Sequence, residues 1–103
     1  MKILTAAKDG EYIVQITGEI DHHSAPGIRE EIDGYLERNR PKKLIMDLGG
    51  TSFMDSSGLG LILGRLRKTQ EMKMEMVLAN PSVSVLRILQ LAGVEKLLSI
   101  QYL

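Results

Sequence analysis

The sequence predicts an α/β fold: one domain over residues 1–103, built on a four- to five-stranded mixed, largely parallel sheet, in the order β-β-α-β-α-β-α-β. Three observations carry this. Short apolar runs suited to buried strands alternate with segments of helical apolar spacing. An Asp9-Gly10 dipeptide, a strong two-residue turn signal, separates two strand-like runs at the start. Beyond that hairpin the strands are separated by crossover helices, which favours parallel pairing.

The elements follow in order. "ILTAA" and "YIVQITGEI" (Tyr12 to Ile20) form the two arms of the hairpin. "DHHSAPG" is a loop, with Ser24 or Asp21 available to cap the helix after it. Ile28, Ile32, Tyr35 and Leu36 make that helix's apolar stripe, Glu30, Glu31, Asp33, Glu37 and Arg38 occupy its other face, and Pro41 ends it. "KLIMDL" (Lys43 to Leu48) reads as a buried strand, and "GGTSFM" as the connection to a helix over roughly Ser56 to Gln70. "MEMVLA" (Met74 to Ala79) is a further buried strand, with Met72, Met74 and Met76 alternating as on a strand with one exposed face. Asn80-Pro81 signals the next helix start, with Asn80 as N-cap and Val83, Leu86 and Leu89 on the buried side; Gly93 closes the helix. A short strand near "LLSIQYL" finishes the sheet.

Composition narrows the function. Thirteen basic and thirteen acidic residues cancel, so the chain has no electrostatic footprint for nucleic acid. There is no cysteine, hence no disulfide framework, thiolate metal site or thiol nucleophile. The N-terminus lacks the long apolar core of a signal peptide, and no run approaches the roughly 20 apolar residues that span a bilayer. The expected setting is the cytoplasm, with no membrane partner.

In a largely parallel sheet, function gathers in loops at the carboxyl ends of strands, beside helix N-termini. "DHHSA" and "FMDSSG" are those loops here. The helix after the second is unusual: three glycines fall inside it, although each costs about 1 kcal/mol relative to alanine. At 100° per residue, Leu59, Ile62, Leu63 and Leu66 form its core side, while Ser56, Gly60 and Gly64 form a second, bare stripe. A neighbouring helix of the same domain could press against that stripe, or an outside partner could dock on it and reach Ser56. Leu61 projects opposite the core side on this reading, which favours docking.

Asp55 is the expected N-cap, its carboxylate accepting from the amides of Ser57 or Gly58. Ser56 then lies in the first turn, where free N–H groups and the positive end of the helix dipole favour an anion. A hydroxyl there, beside Gly58 that admits a kinase cleft, is a sensible phosphoacceptor. Catalytic readings fare worse. Met54 and Asp55 stand where a G-x-S-x-G elbow needs glycine, and Gly58, Gly60 and Gly64 are out of register for G-x-G-x-x-G. Asp21, His22 and His23 are sequential and lack the third or fourth convergent ligand of a zinc site. No cofactor, metal site or catalytic residue is expected.

"GEIDHHSA" (18–25) and "SFMDSSGLGLILGR" (52–65) resemble the anti-anti-sigma factors of the STAS domain family (sulfate transporter and anti-sigma factor antagonist), and most of all their sporulation branch. The resemblance covers essentially the whole chain. It departs in a short C-terminus and in Gly27 and Gly34, which weaken the first helix. It implies a protein that is not an enzyme. Unphosphorylated, it binds an anti-sigma factor that is also a serine kinase and releases the sigma factor. Phosphorylation ends the binding, and a serine phosphatase resets it. By motif match Ser56 is the acceptor and Ser57 its non-accepting neighbour, with Asp21 and Asp55 near the acceptor. The expected partner surface is Asp21, Asp55, Ser57, Gly58, Gly60, Leu61 and Gly64, on a chain that is a monomer when free. The alternative is a STAS scaffold or sensing subunit of a larger signalling assembly.

Overall fold

The structure, a computed structural model, describes residues 2–103. Its elements are β1 (Lys2–Lys8), β2 (Glu11–Ile20), α1 (Ala25–Asn39), β3 (Lys43–Asp47), β4 (Thr51–Met54), α2 (Ser56–Glu71), β5 (Glu75–Ala79), α3 (Val83–Leu91), a 3₁₀ turn (Val94–Lys96) and β6 (Ser99–Gln101). The sheet runs β1-β2-β3-β5-β6, with β4 added on β2. Among the described residues the β1–β2 pairing is antiparallel and the other four pairings are parallel. The hairpin closes on Asp9-Gly10, whose φ values of 53° and 82° are the pair of positive angles that a tight hairpin turn with the strands' twist requires.

The strand β4 was not expected, since "GGTSFM" reads as a connection. Its origin lies in unequal strand lengths. β2 has ten residues, and β3 pairs only with Glu11 to Gln15 of it. The carboxyl end of β2 therefore has backbone groups without a partner, and 51–54 fill that place: Gly18 pairs with Thr51, Glu19 with Phe53 and Ile20 with Met54, with a register shift between Gly18 and Glu19. Thr51 Oγ1 donates a buried 2.8 Å hydrogen bond to the carbonyl of Ile16, fixing the junction. Thr51 and Met54 are buried while Ser52 and Phe53 are exposed, so the segment lacks the alternation that marks a strand.

Even-numbered residues of the central strands (Tyr12, Val14, Ile16, Leu44, Met46, Met76, Leu78) face the main core, joined by Leu48 just after β3. All the buried apolar side chains of the helices join that cluster: Ala25, Ile28, Ile32 and Leu36 of α1, Leu61 and Ile62 of α2, Val85 and Leu89 of α3. A smaller cluster of Ile45, Val77 and Ala79 lies on the other face. The α1 stripe sits where its spacing put it, with the half-buried Tyr35 ring stacked on Tyr12 at 3.7 Å. Burial there pushes the Tyr12 hydroxyl up to about 12.

Three expectations need correction. The cap of α3 is Ser82, whose Oγ accepts from the Val85 amide at 3.3 Å, and not Asn80. Asn80 has φ 59° and accepts from the Leu103 amide at 2.7 Å, so it ties the chain end to the β5 exit. With the helix starting later, Val83 is exposed and Val85 and Leu89 are buried. Met72 and Lys73 form a helix-ending turn, Lys73 with φ 59°, so the three alternating methionines do not share a strand. The third correction is the face of α2. It buries Gly58, Leu61, Ile62, Arg65 and Thr69, whereas Leu59 and Leu66 are half-buried and Leu63 is exposed. The helix packs against both the sheet and α1, so its buried face is broader than one apolar stripe and includes polar residues.

Candidate functional site

β2 and β4 end side by side, Ile20 opposite Met54, so their next residues, Asp21 and Asp55, leave the sheet together. The Asp55 amide donates to the Ile20 carbonyl at 3.3 Å and holds the two exits in register. Asp55 is the N-cap of α2: its backbone is extended, and Oδ1 accepts from Ser57 N at 2.8 Å and Gly58 N at 3.2 Å. Asp21 does the same work for its own loop. Its Oδ1 accepts from the amides of His23 and Ser24 at 3.0 Å, and its amide donates to Ser24 Oγ at 3.0 Å. Ser24 holds the cap position of α1 but makes no side-chain cap bond, so Asp21 is the residue that orders the entry to this helix. The bond from the Ser24 amide is the first cause that holds the Asp21 carboxyl below its ordinary value.

Ser56, the first residue of α2, is exposed at this double exit, and Ser57 behind it is half-buried. The three glycines then divide. A Cβ on Gly58 would stand 2.7 Å from Met54 Cβ and 3.0 Å from the Ile20 carbonyl, so Gly58 is bare because the strand ends press on it. It is buried, and its expected place on a partner surface is corrected to an internal role. A Cβ on Gly60 or Gly64 would meet nothing within 4 Å. The track at 60 and 64 is not occupied by a neighbouring helix of this chain. Leu61 is corrected as well: only 4% exposed, it belongs to the core and edges the track from below.

The track floors a groove of ≈ 370 Å³ between α2 and the start of α1, with Ser57 and Arg65 on one side and His22, Pro26 and Arg29 on the other. Arg65 is 7% exposed and its Nε lies 2.8 Å from Oδ1 of Asp33 on α1. One turn on, Lys68 Nζ meets Glu37 Oε1 at 2.7 Å and joins the same two helices. Asp33 is thus half-buried in a helix–helix contact, although its place among other acids reads as a solvated face. The two arginines of the groove, one on each wall, were missed because Arg29 and Arg65 lie far apart in sequence. Phe53, 47% exposed two residues before Asp55, is a further apolar surface residue that the sequence did not single out.

Among the described residues no group of three or more His, Cys, Asp or Glu could hold a metal ion, and no helix is long and apolar enough to cross a membrane. His22 and His23 lie ring against ring at 3.9 Å in the exposed loop.

The geometry of strand exits, capped helix and bare track can be set beside known proteins. The STAS domain family matches residues 2–102. This chain belongs to the STAS domain family. The STAS chain is 37% identical over 81 residues to an anti-sigma F factor antagonist of Lysinibacillus sphaericus, covering 79% of this chain and 69% of that protein. It is 35% identical over 91 residues to an anti-sigma F factor antagonist of Paenibacillus polymyxa, covering 88% and 78%. Among solved structures it is similar to the Bacillus cell fate determinant SpoIIAA in its phosphorylated form, with TM-score 0.78 and 28% identity over 97% of this chain and 90% of that one. The fold of this STAS domain, a mixed sheet with three helices, is shared with that solved structure.

Proposed function

We propose that this chain, a single STAS domain throughout, is a cytoplasmic anti-sigma factor antagonist switched by phosphorylation of Ser56. The unphosphorylated form binds an anti-sigma factor with serine kinase activity and releases the sigma factor. The kinase transfers phosphate from ATP to Ser56, the complex parts, and a serine phosphatase restores the free protein, which is a monomer. The protein is a substrate in this cycle and not an enzyme. The similarity to anti-sigma F factor antagonists favours the sporulation circuit.

The observation that carries this reading is the position of Ser56: exposed, first in α2, at the paired exits of β2 and β4, and leading to an open track. The carboxylate of Asp55 already takes the amides of Ser57 and Gly58. A phosphate on Ser56 therefore finds the best helix-end donors engaged by a like charge, and it points outward to the docking side. The remaining dipole stabilisation is about 0.3–1 kcal/mol, small against a fold stability of about 5–15 kcal/mol. A dianion enclosed in an interface without a cation costs several kcal/mol. The fold stays and the partner leaves.

The test is phosphopeptide mapping after incubation with ATP and the soluble lysate of the source cells. One phosphate on Ser56, absent from Ser56→Ala, supports the switch. No phosphate on Ser56 or Ser57 while the circuit is active, together with stable self-association, points to the scaffold or sensing role.

A further inference from the structure

The groove beside Ser57 has a charge pattern that the phosphorylation switch does not use. Arg65 is more than nine-tenths buried, and among the described residues its one close counter-charge is Asp33. That contact is short but poorly directed: Arg65 Nε and Asp33 Oδ1 are both left without an aligned hydrogen-bond partner. Such a buried pair has lost water without regaining full hydrogen bonding. Arg29, exposed on the opposite wall, is near enough to repel the Arg65 guanidinium. Two guanidiniums thus face one carboxylate here, whereas one turn along the helices Lys68 and Glu37 neutralise each other. The surplus positive charge is confined to the stretch where Gly60 and Gly64 leave open space.

On the reading of the chain as a partner-binding switch, we propose that this groove receives an acidic segment of the protein partner, with a carboxylate held between Arg29 and Arg65 and the segment's backbone lying along Gly60 and Gly64. The planar fork of a guanidinium suits a carboxylate in two parallel bonds, and the bare track lets a backbone approach within van der Waals distance of α2. Beyond the groove, Glu19 and Asp21 line a separate concavity with His23 and Ser24, so acidic groups also lie on the loop before α1. A partner whose acidic segment meets Arg29 and Arg65 gains orientation as well as affinity.

The experiment measures binding of the purified cognate anti-sigma factor to the full chain and its variants, at two salt concentrations, with melting temperatures alongside. Arg29→Glu is expected to weaken binding roughly tenfold at low salt and less at high salt, as for a charge at an interface rim. Its melting temperature should not fall, because Arg29 is exposed and its charge opposes that of Arg65. Arg29→Lys should retain most of the affinity. Asp33→Asn, which removes the internal competitor for Arg65, is expected to tighten binding. Wild-type affinity in Arg29→Glu overturns the proposal. So does a loss of affinity in Asp33→Asn that follows its loss of melting temperature, since Arg65 and Asp33 then only clasp the helices. Ser56→Asp separates the two readings. If it blocks binding while Arg29→Glu does not, the switch stands and the acidic segment falls. If Arg29→Glu weakens binding and Ser56→Asp does not, the groove stands and the switch falls.

Discussion

A Cβ placed on Gly58 would stand 2.7 Å from the Cβ of Met54, a separation that side-chain carbons do not tolerate. Met54 is 1% exposed and ends β4, so it has no room to retreat, and the second obstacle is the backbone carbonyl of Ile20. Gly58→Ala should therefore push the first turn of α2 off the strand ends. The expected cost is about 1–3 kcal/mol, typical of overpacking a filled core, seen as a lower midpoint in thermal unfolding. A variant as stable as the parent would mean that the strand ends give way readily.

Gly60 and Gly64 should behave in the opposite sense. Nothing lies within 4 Å of an added Cβ at either, and both are inside a helix. Alanine there removes the entropic penalty of glycine, so Gly60→Ala and Gly64→Ala should each stabilise by about 0.5–1 kcal/mol. At this chain length that is several degrees, since about 4–8 °C correspond to 1 kcal/mol. Gly60→Val should weaken partner binding while the fold persists. Destabilisation by Gly60→Ala would show that the track closes on another part of this chain.

Much of this was legible in the sequence, and the misses have physical causes. The hairpin, the α1 stripe, the central strands and the Asp55 cap follow from local signals: Asp9-Gly10, a 3.6-residue spacing, short apolar runs, and an acid before a helix. β4 escaped because it exists to satisfy the unpaired end of a longer neighbour, which no local pattern records. The face of α2 was misjudged because counting apolar residues cannot foresee that Arg65 and Thr69 are buried and Leu63 exposed. The three glycines looked alike in sequence. Only the positions of Met54 and Ile20 separate one internal glycine from two external ones. At the site, Asp21 and Asp55 come together through the pairing of Ile20 with Met54, while the basic groove depends on a contact between α1 and α2.

The Asp21 loop should be sensitive to acid. Amides of Ser24 and His23 hold the Asp21 carboxyl below its ordinary 3.8, so the ionised form is favoured in the folded chain. The stabilisation is then present above the ordinary value and is lost as pH falls through the lower folded value. Followed by NMR during an acid titration, the two amides should move together with a midpoint below the ordinary 3.8. In Asp21→Asn this step should disappear. Titration of the same amides above the ordinary value would contradict the hydrogen-bonded loop.

Ser56→Asp and Asp55→Ala should part stability from binding. Asp55 Oδ1 satisfies two amides at the start of α2, so Asp55→Ala loses a cap and should cost about 0.5–2 kcal/mol in unfolding free energy. Ser56 is exposed at the first helical position, where an added acid meets the positive end of the helix dipole on one side and Asp55 on the other. These effects nearly cancel, and the melting temperature of Ser56→Asp should stay within a few degrees of the parent. Its binding to the anti-sigma factor should nevertheless fall sharply, because the new charge must be enclosed in the interface beside another carboxylate. Calorimetric melting and binding measured on the same samples check this. If Ser56→Asp loses binding only in step with stability, the residue acts through the fold. If it melts like the parent and no longer binds, the switch resides in the interface.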